Sequence, residues 1–258
     1  MKDNLSSLHI GRPRFFVSPE QIDGGRVYLK GPDVVHLAKV LRMGAGESLT
    51  VLDGRGKTYL AVIKEVGRDK VTCTINKELP GTAVPSFKVT LVQGIPKGDK
   101  MDLIIQKGTE LGLSKVIPLL CERVVVKLEG DKPLRRRERW QRIALEAAKQ
   151  CRRPDVPEIS EPTSWEQALA ALPPGVAALI PWEEEITGSL REFFHRNPAP
   201  EEIYIFIGPE GGFTRAEVER ARFHGVCPVT LGPRILRTET AGLAVLSVVL
   251  YQWGDLGG

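Results

Sequence analysis

Apolar residues in about the first eighty positions occur in short stretches, several of which alternate with polar residues and are separated by glycines. This spacing is typical of β-strands. Between the second and third strands, the pattern predicts one helix with Asp33 as its N-cap and Gly44 at its end. Together the strands predict a small β-barrel, and their expected ranges are 14–18, 26–30, 48–53, 58–66 and 70–77.

A segment of linker composition, residues 79–86, separates this region from one with a different pattern. Beyond it strands and helices alternate, which predicts a mostly parallel α/β sheet. From the pattern alone we expect an ordinary doubly wound fold, because knots are nearly absent from proteins. The expected strands are 88–94, 115–120, 176–181, 203–207 and 226–231, and the helices include 99–111 and one starting near Pro133.

Two of these strands run into irregular, glycine-marked loops. The strand 203–207 leads into residues 208–212, and the apolar run 226–231 leads into residues 232–241. After the first loop, Thr214 and Glu217 form a capping-box pattern that predicts a helix beginning at Arg215. Because open parallel sheets bind ligands at the carboxyl ends of their strands, we expect the active site at these loops. The alternative is that each loop is only a strand-to-helix turn.

Composition changes this picture little. The 258 residues are 42% apolar and 26% charged, as in ordinary globular proteins. The four cysteines form no Cys-x-x-Cys pair, so neither a zinc site nor a disulfide framework is indicated. We expect no membrane span, because the longest apolar run, 241–253, is too short for one and is typical of a buried helix. A cytoplasmic location is expected.

The net charge is only +4, but it is unevenly distributed. Six of the eleven residues from Lys132 to Arg142 are basic, and the segment has helical periodicity with outward-facing arginines. A solvated face is one interpretation of such a run. The other is a surface that contacts the phosphates of a nucleic acid.

Five segments, in order along nearly the whole chain, resemble the RsmE group of SPOUT methyltransferases. The two loops carry the most specific motifs, Ile207 to Thr214 and Leu231 to Ala241. The other three segments are His36 to Arg42, Lys97 to Arg123 and Trp140 to Arg153. At residues 149–153 the chain reads Lys-Gln-Cys-Arg-Arg, where the family pattern has acidic or neutral residues.

The resemblance implies a fold and an activity. Residues 1–80 would form a PUA-like, RNA-binding β-barrel, and residues 81–258 a SPOUT methyltransferase domain with a trefoil knot. The activity implied is S-adenosylmethionine-dependent methylation of N3 of one uridine in 16S ribosomal RNA near the decoding centre. The implied partners are 16S ribosomal RNA or the assembled small subunit, and a second copy of the chain in a homodimer.

The loops also supply the candidate cofactor-binding residues, because glycines allow a ligand to approach the backbone closely. The end of the strand 176–181 is a candidate third loop, although its residues would fit a simple core equally well. The candidate cofactor-binding residues are Leu179, Ile180, Pro181, Gly208, Pro209, Glu210, Gly211, Gly212, Leu231, Gly232, Ile235, Leu236, Arg237, Thr238, Thr240 and Ala241.

Uridine N3 carries a proton that must leave, so a carboxylate in the loops is a candidate base. Glu210 and Glu239 are the two available, and a structural role is an open alternative for either. Arg237 is the candidate for holding a phosphate or a uracil oxygen, with Arg234 as a weaker choice. The expected RNA-binding residues are Arg12, Arg14, His36, Arg42, Lys97, Arg135, Arg136, Arg139, Arg152 and Arg153.

Two alternatives to this function remain open at the level of sequence. The chain could be a non-catalytic RNA-binding protein that has kept the fold, with the loops merely closing the sheet. It could also methylate another base or another RNA. Cofactor binding separates the first alternative from the enzyme, and mapping of the modified nucleotide separates the second.

Overall fold

A computed structural model describes residues 12–80, 87–124, 132–198 and 200–257. The chain divides into two compact units. The first comprises the chain up to Val84 together with Lys149–Val156, and the second comprises Pro85–Ala148 and Pro157–Gly258.

The first unit contains a six-stranded sheet with the order β1-β4-β5-β6-β3-β2. Its strands pair antiparallel except for β1 and β4, which are parallel. Alternate side chains from five of the strands and from the helical segment enclose one apolar core that includes Phe15, Leu29, Leu37 and Ile63. The strands are β1 (Arg14–Phe16), β2 (Ile22–Asp23), β3 (Arg26–Lys30), β4 (Ser48–Leu52), β5 (Thr58–Val66) and β6 (Lys70–Leu79).

The helix in this unit is shorter than the sequence indicates. Helix α1 spans Pro32–Val35 and continues as one turn of π-helix at His36–Val40. The expectation that Asp33 is the N-cap is wrong, because Gly31, with φ of 64°, turns the chain into the helix. Proline at the first helical position then has the φ that a helix needs and lacks the amide that would go unpaired.

The second unit is built on a sheet with the order β10-β8-β7-β12-β11-β13, with β9 pairing to β8. Every recorded pair in it is parallel, which confirms the expected α/β architecture. The central strands are apolar because both of their faces are covered. The strands are β7 (Lys88–Gly94), β8 (Lys115–Leu120), β9 (Glu158–Ile159), β10 (Thr163–Ser164), β11 (Ala177–Pro181), β12 (Glu202–Ile207) and β13 (Cys227–Val229).

Helices cover this sheet. The apolar run near the carboxyl terminus is helical, as expected, and its inner residues, such as Val245 and Leu246, are fully buried. This last helix packs against the helix that follows β7 and against β12. In the described part of the chain, no helix is both long and apolar enough to cross a membrane. The helices are α2 (Lys100–Leu111), α3 (Lys132–Cys151), α4 (Trp165–Ala170), α5 (Leu190–Arg196), α6 (Arg215–Phe223) and α7 (Thr238–Trp253).

Candidate active site

Three neighbouring strands, β12, β11 and β13, end at one edge of the sheet of the second unit. The loops that follow them, and the start of α2, surround a cavity of about 790 Å³. The cavity is lined by Lys100, Pro181, Trp182, Glu183, Glu185, Ile186, Ile207, Gly208, Pro209, Glu210, Gly211, Gly212, Phe213, Thr230, Leu231, Gly232, Pro233, Arg234, Ile235, Leu236, Arg237, Thr238 and Ala241.

The loop after β12, residues 208–212, folds back tightly on itself. A Cβ atom on Gly208 would lie 3.0 Å from the backbone of Gly212, and Gly212 has φ of 66°. The carbonyl of Pro209 accepts a hydrogen bond of 2.9 Å from the amide of Gly212. These glycines are therefore required by the turn itself, which presents main-chain groups to the cavity with little side-chain bulk.

The capping box after this loop forms as the sequence predicts. The Thr214 amide donates to Oε2 of Glu217 at 2.9 Å, and α6 begins at Arg215. The buried Glu217 carboxylate also accepts a hydrogen bond of 2.8 Å from the amide of Glu122. The next residue, Arg123, donates from its guanidinium to the Gly211 carbonyl at 2.6 Å. Helix α6 and the segment after β8 thus hold the loop in place.

The loop after β13 is tied to the first loop through Thr238. Its hydroxyl donates to the carbonyl of Gly208 at 2.6 Å and accepts from the side-chain amide of Gln93 at 2.9 Å. Both Thr238 and Gln93 are buried. Gly232, in the same loop, has φ of 97°, and an added Cβ would meet nothing within 4 Å. Its conformation therefore requires glycine, and open space lies beside it.

The third loop follows β11, where the sequence suggested Leu179, Ile180 and Pro181. Pro181 lines the cavity, but Leu179 and Ile180 are fully buried and do not. The side chains of these two residues lie within the sheet layers, so for them the structure supports a core role rather than cofactor contact. The cavity wall begins at Pro181 and continues with Trp182 and Glu183.

Glu185 holds this third loop in shape. Its Oε1 accepts hydrogen bonds from the amides of Gly188 and Thr187, at 3.0 and 2.9 Å, and from the Thr187 hydroxyl at 2.7 Å. Arg222 contacts the other oxygen at 3.0 Å. These bonds, with that from the Gly188 amide foremost, lower the pKa of Glu185 to about 2.

Three charged side chains from separate elements meet beside the cavity, and two of them, Lys100 and Glu210, line it. The ammonium of Lys100, in the first turn of α2, lies 2.8 Å from Glu210 Oε1 and 3.6 Å from Glu239 Oε2. Glu210 also accepts from the amide of Lys97 at 3.1 Å. Burial opposes ionisation of Glu210, but the hydrogen bonds from Lys100 and from main-chain amides outweigh it and lower the pKa of this carboxyl. The bond to Glu210 raises the pKa of Lys100.

The two carboxylates therefore differ in what they can do. Glu210 is tied at both oxygens, which makes it a weak proton acceptor. Oε2 of Glu239 is buried and has no hydrogen-bond partner among the described residues. Its 3.6 Å contact with Lys100 is an ion pair, but is longer than a hydrogen bond. Glu239 is thus the carboxylate that has an oxygen without a hydrogen bond, whereas both oxygens of Glu210 accept one.

Arg237 is the N-cap residue of α7 and is exposed at the cavity, where its charge is available to a ligand. Arg234 lines the same loop and is also exposed. Thr240 is exposed, and neither it nor Glu239 is part of the cavity wall. Of the loop residues proposed from the sequence, the cavity wall includes all those from 208 to 212 and from 231 to 241 except Glu239 and Thr240.

The expected RNA-binding arginines of α3 fall into two groups. Arg135 is exposed and Arg136 half-buried on the helix surface. Arg139 instead pairs with Asp99, at 3.3 Å, and with Asp102, so its charge is already neutralised within the second unit. Arg137, which was only part of the basic run, donates to the carbonyl of Ile159 at 3.1 Å.

The remaining expected RNA contacts have mixed surroundings. Lys97 is exposed, and its main-chain amide donates a hydrogen bond to the Glu210 carboxylate. In the first unit, the exposed His36 meets the ring of Phe15 edge-on at 6.2 Å, and Arg42 is exposed with φ of 52°. The others in that unit are the half-buried Arg12, Arg14 and Arg153, and the exposed Arg152.

Sequence reasoning missed several cavity residues. Lys100 directly follows Asp99, where its helix was predicted to start. Trp182, Glu183 and Glu185 follow the end of a predicted strand. Their closeness to loops is the only feature of the sequence that could have indicated a place in the cavity wall. No metal-binding cluster of three or more His, Cys, Asp or Glu residues occurs within the described ranges. All four cysteines are free thiols.

Fold and site together define a class: a parallel α/β protein that presents glycine loops and a few charged side chains around a ligand cavity, joined to a separate small β unit. Comparison with known families agrees. The profile of the RNA methyltransferase domain matches residues 83–250, and that of the RNA methyltransferase PUA domain matches residues 29–76.

Individual relatives are similar over nearly their whole lengths. Ribosomal RNA small subunit methyltransferase E of Bacillus subtilis (strain 168) is 38% identical over 258 residues, covering 95% of this chain and 98% of that one. The protein of the same name from Aquifex aeolicus (strain VF5) is 31% identical, with 90% and 96% covered. The crystal structure of the Neisseria gonorrhoeae protein of that name, bound to S-adenosyl methionine, has 34% identity and a TM-score of 0.82, with 94% and 98% covered.

The chain therefore belongs to the RNA methyltransferase family that includes ribosomal RNA small subunit methyltransferase E. The resemblance to the RsmE group, drawn from the loop motifs, is confirmed. So are the α/β methyltransferase domain and the amino-terminal PUA domain.

Proposed function

We propose that this protein transfers a methyl group from S-adenosylmethionine to N3 of one uridine in 16S ribosomal RNA, near the decoding centre of the small subunit. The observation that carries the proposal is the pair of motif loops joined by Thr238 around a single cavity. The proposal also rests on relatives named for methylation of small-subunit ribosomal RNA.

The cavity suits S-adenosylmethionine, which is the cofactor of the family. Its volume of about 790 Å³ lies in the range of small-molecule sites. Gly208 and Gly212 leave no room for a side chain at the turn, while Gly232 faces open space. Main-chain groups of these loops would hold adenine and ribose. The indole nitrogen of Trp182, buried without a partner among the described residues, is a further donor at this wall.

When bound, the cofactor supplies a methyl group activated by a positively charged sulfur. The protein then has to hold uracil in line with it, so catalysis is largely positioning. The loop residues supply this rigidity through the Thr238 and Glu185 hydrogen bonds described above. The apolar residues Ile186 and Ile235, both exposed at the cavity, offer contact surface for a ring.

The proton on N3 requires an acceptor, and we assign this role to Glu239. Its Oε2 has no hydrogen-bond partner among the described residues and is left to accept the proton, whereas Glu210 is held by Lys97 and Lys100. Lys100 keeps both carboxylates from repelling each other. Arg237 serves the RNA side, because a guanidinium directly against a sulfonium would be repelled.

The wider assignments follow from the same family. We propose that residues 1–80 bind RNA and that residues 81–258 form the catalytic domain. The 230–238 segment approaches both the 188 and 208 loops, through Thr230 with Gly188 and Thr238 with Gly208, which is compatible with the trefoil knot we propose. A homodimer acting in the cytoplasm on 16S ribosomal RNA or the small subunit completes the proposal.

The test is mass-spectrometric mapping of methylated uridines in small-subunit RNA from cells lacking this protein. We expect one N3-methyluridine to disappear and to return when the wild-type gene is restored, but not with Arg237→Ala. Purified Arg237→Ala should still bind S-adenosylmethionine. Persistence of every methylated uridine in the deletion strain would refute the function, and loss of a different modified base would favour another RNA target.

A non-catalytic RNA-binding role is the alternative. It predicts that calorimetry detects no S-adenosylmethionine binding to the wild-type protein. An active Arg237→Ala variant would leave the function standing and remove Arg237 from the site.

A further inference from the structure

In the first unit, two arginines meet where α3 ends. Arg14 lies in β1, and Arg152 directly follows Cys151, the last residue of α3. Nη1 of Arg14 donates a hydrogen bond of 3.3 Å to the carbonyl oxygen of Arg152. One arginine thus holds the backbone of the other, and both belong to the same compact unit.

The backbone of Arg152 is strained. Its φ is 64°, in the left-handed region, and it occupies the position after a helix where glycine is strongly preferred. A residue with a Cβ atom is disfavoured there. Among the described residues other than glycine, only Arg42 shares a positive φ. Because Arg152 is exposed, burial of its side chain does not offset the strain.

The electrostatic surroundings are also unfavourable in the absence of an anion. Burial lowers the pKa of the Arg14 guanidinium, and the positive charge of Arg152 lowers it further. The carboxylate of Asp155, three residues along the chain, is hydrogen-bonded to Arg153 at 2.5 Å. The Arg14 guanidinium is thus bonded to the backbone of a second cationic residue, and the nearby acid Asp155 is already paired.

We propose that Arg14 and Arg152 together bind one phosphate group of the RNA backbone. The inference rests on the proposed function, which supplies an RNA substrate. A phosphate between the two guanidinium groups replaces repulsion with charge-assisted hydrogen bonds. Strain that persists at a site of this kind is explained by the ligand rather than by folding. The segment 149–153, where the chain departs from the family pattern, thereby gains a function in this chain.

Arg152→Gly separates binding from stability, because it removes the charge and relieves the strain together. We expect its melting temperature to rise by about 2–4 °C. We expect its affinity for small-subunit ribosomal RNA to fall, and the slope of log affinity against log salt to flatten by about 0.9, as for one lost phosphate contact. A residue that only supports the fold would move stability and affinity in the same direction.

Two matched variants control for charge and strain. Arg152→Lys keeps both, so it should retain the wild-type slope and melting temperature. Arg68→Gln removes one charge from the exposed turn between β5 and β6 and should change neither slope nor stability. Arg14→Gln should flatten the slope by the same 0.9, and combining it with Arg152→Gly should flatten it no further, because both residues hold the same phosphate.

The outcomes separate this inference from the proposed function. Failure of the wild-type protein to bind ribosomal RNA would remove both. Wild-type binding with unchanged affinity and slope in Arg152→Gly would overturn the phosphate site alone. A lowered melting temperature of Arg152→Gly would also overturn it, since Arg152 would then be supporting the fold.

Discussion

The hydroxyl of Thr238 donates a 2.6 Å hydrogen bond to the carbonyl oxygen of Gly208, thirty residues earlier in the chain. This bond joins the loops after β12 and β13 at the floor of the cavity. The side-chain amide of Gln93, at the end of β7, donates to the same hydroxyl at 2.9 Å. One threonine thus connects the end of β7, the loop after β12 and the loop after β13, so the shape of the cavity depends on it.

Thr238→Val tests this connection, because valine keeps the shape of threonine and removes the hydroxyl. The partly buried Gly208 carbonyl and the buried Gln93 amide would each lose a hydrogen-bond partner, so we expect the free energy of unfolding to fall by about 1–3 kcal/mol. Calorimetry should also show weaker cofactor binding. Thr238→Ser is the control and should keep both properties close to wild type. Wild-type stability and affinity in the valine variant would show that the loops are held by other contacts.

Gly232→Val should damage cofactor binding through the backbone. At φ of 97° a side chain costs roughly 1–2 kcal/mol, and this one would enter the open space beside the loop. We expect a loss of at least about tenfold in S-adenosylmethionine affinity, measured by calorimetry. Gly225→Val is matched to it, with φ of 83° and equally open space but a position outside the cavity wall. If both variants bind the cofactor equally well, Gly232 has no part in the site.

Ionisation of Glu185 should make the free energy of unfolding depend on pH in the acid range. Its pKa falls from an ordinary 4.5 to about 2 on folding, so its contribution is fully present above about pH 4.5 and is lost as pH falls towards 2. Glu185→Gln should therefore be less stable than wild type at neutral pH, with the difference shrinking over that window. Denaturant unfolding between pH 2 and 7 measures this. The control is Glu184→Gln, which removes an exposed carboxylate whose 3.9 Å contact with Arg215 should contribute little stability.

The arginines on the basic face of α3 should differ in how much each contributes to RNA binding. Replacing Arg135 and Arg136 by Gln should flatten the salt dependence of RNA affinity by up to about two units, if each holds a phosphate. Arg139→Gln should leave the slope unchanged, because Asp99 and Asp102 already neutralise it, and should cost no more than about 1 kcal/mol of stability. Equal slopes in all three proteins would mean that the face is only solvated.

Local chemistry explains what the sequence predicts well. The start of α6 at Arg215 follows from the capping box alone, and the ranges 58–66 and 88–94 agree with β5 and β7, since apolar spacing and glycines bound these strands. The start of α1 was misjudged because Asp33 is a good N-cap by type, whereas Gly31 is the N-cap and Pro32 starts the helix two residues earlier than predicted. Helices α4 and α5 were missed, although Ser164 and Ser189 carry capping boxes.

The candidate site could be predicted only as far as the two loops. Their glycines and apolar strands are visible in the sequence, but Lys100 meets Glu210 only because β7 and β12 are neighbours in the sheet. The same holds for Glu185, whose loop lies beside the last strand because β11 pairs with β13. Strand order is a long-range property, so residue periodicity does not report it.

Glu239 provides the sharpest test of how the proton leaves uracil. If its free Oε2 is the acceptor, Glu239→Gln should lower single-turnover methyl transfer chiefly at low pH, where deprotonation of N3 limits the rate, and recover in part as pH rises. Glu210→Gln is the matched control: its carboxylate is tied to Lys97 and Lys100, so its loss should lower stability and activity without a pH-dependent recovery. A pH-independent loss in Glu239→Gln, together with a lower melting temperature, would instead assign Glu239 to the ion pair with Lys100 and leave solvent as the proton acceptor.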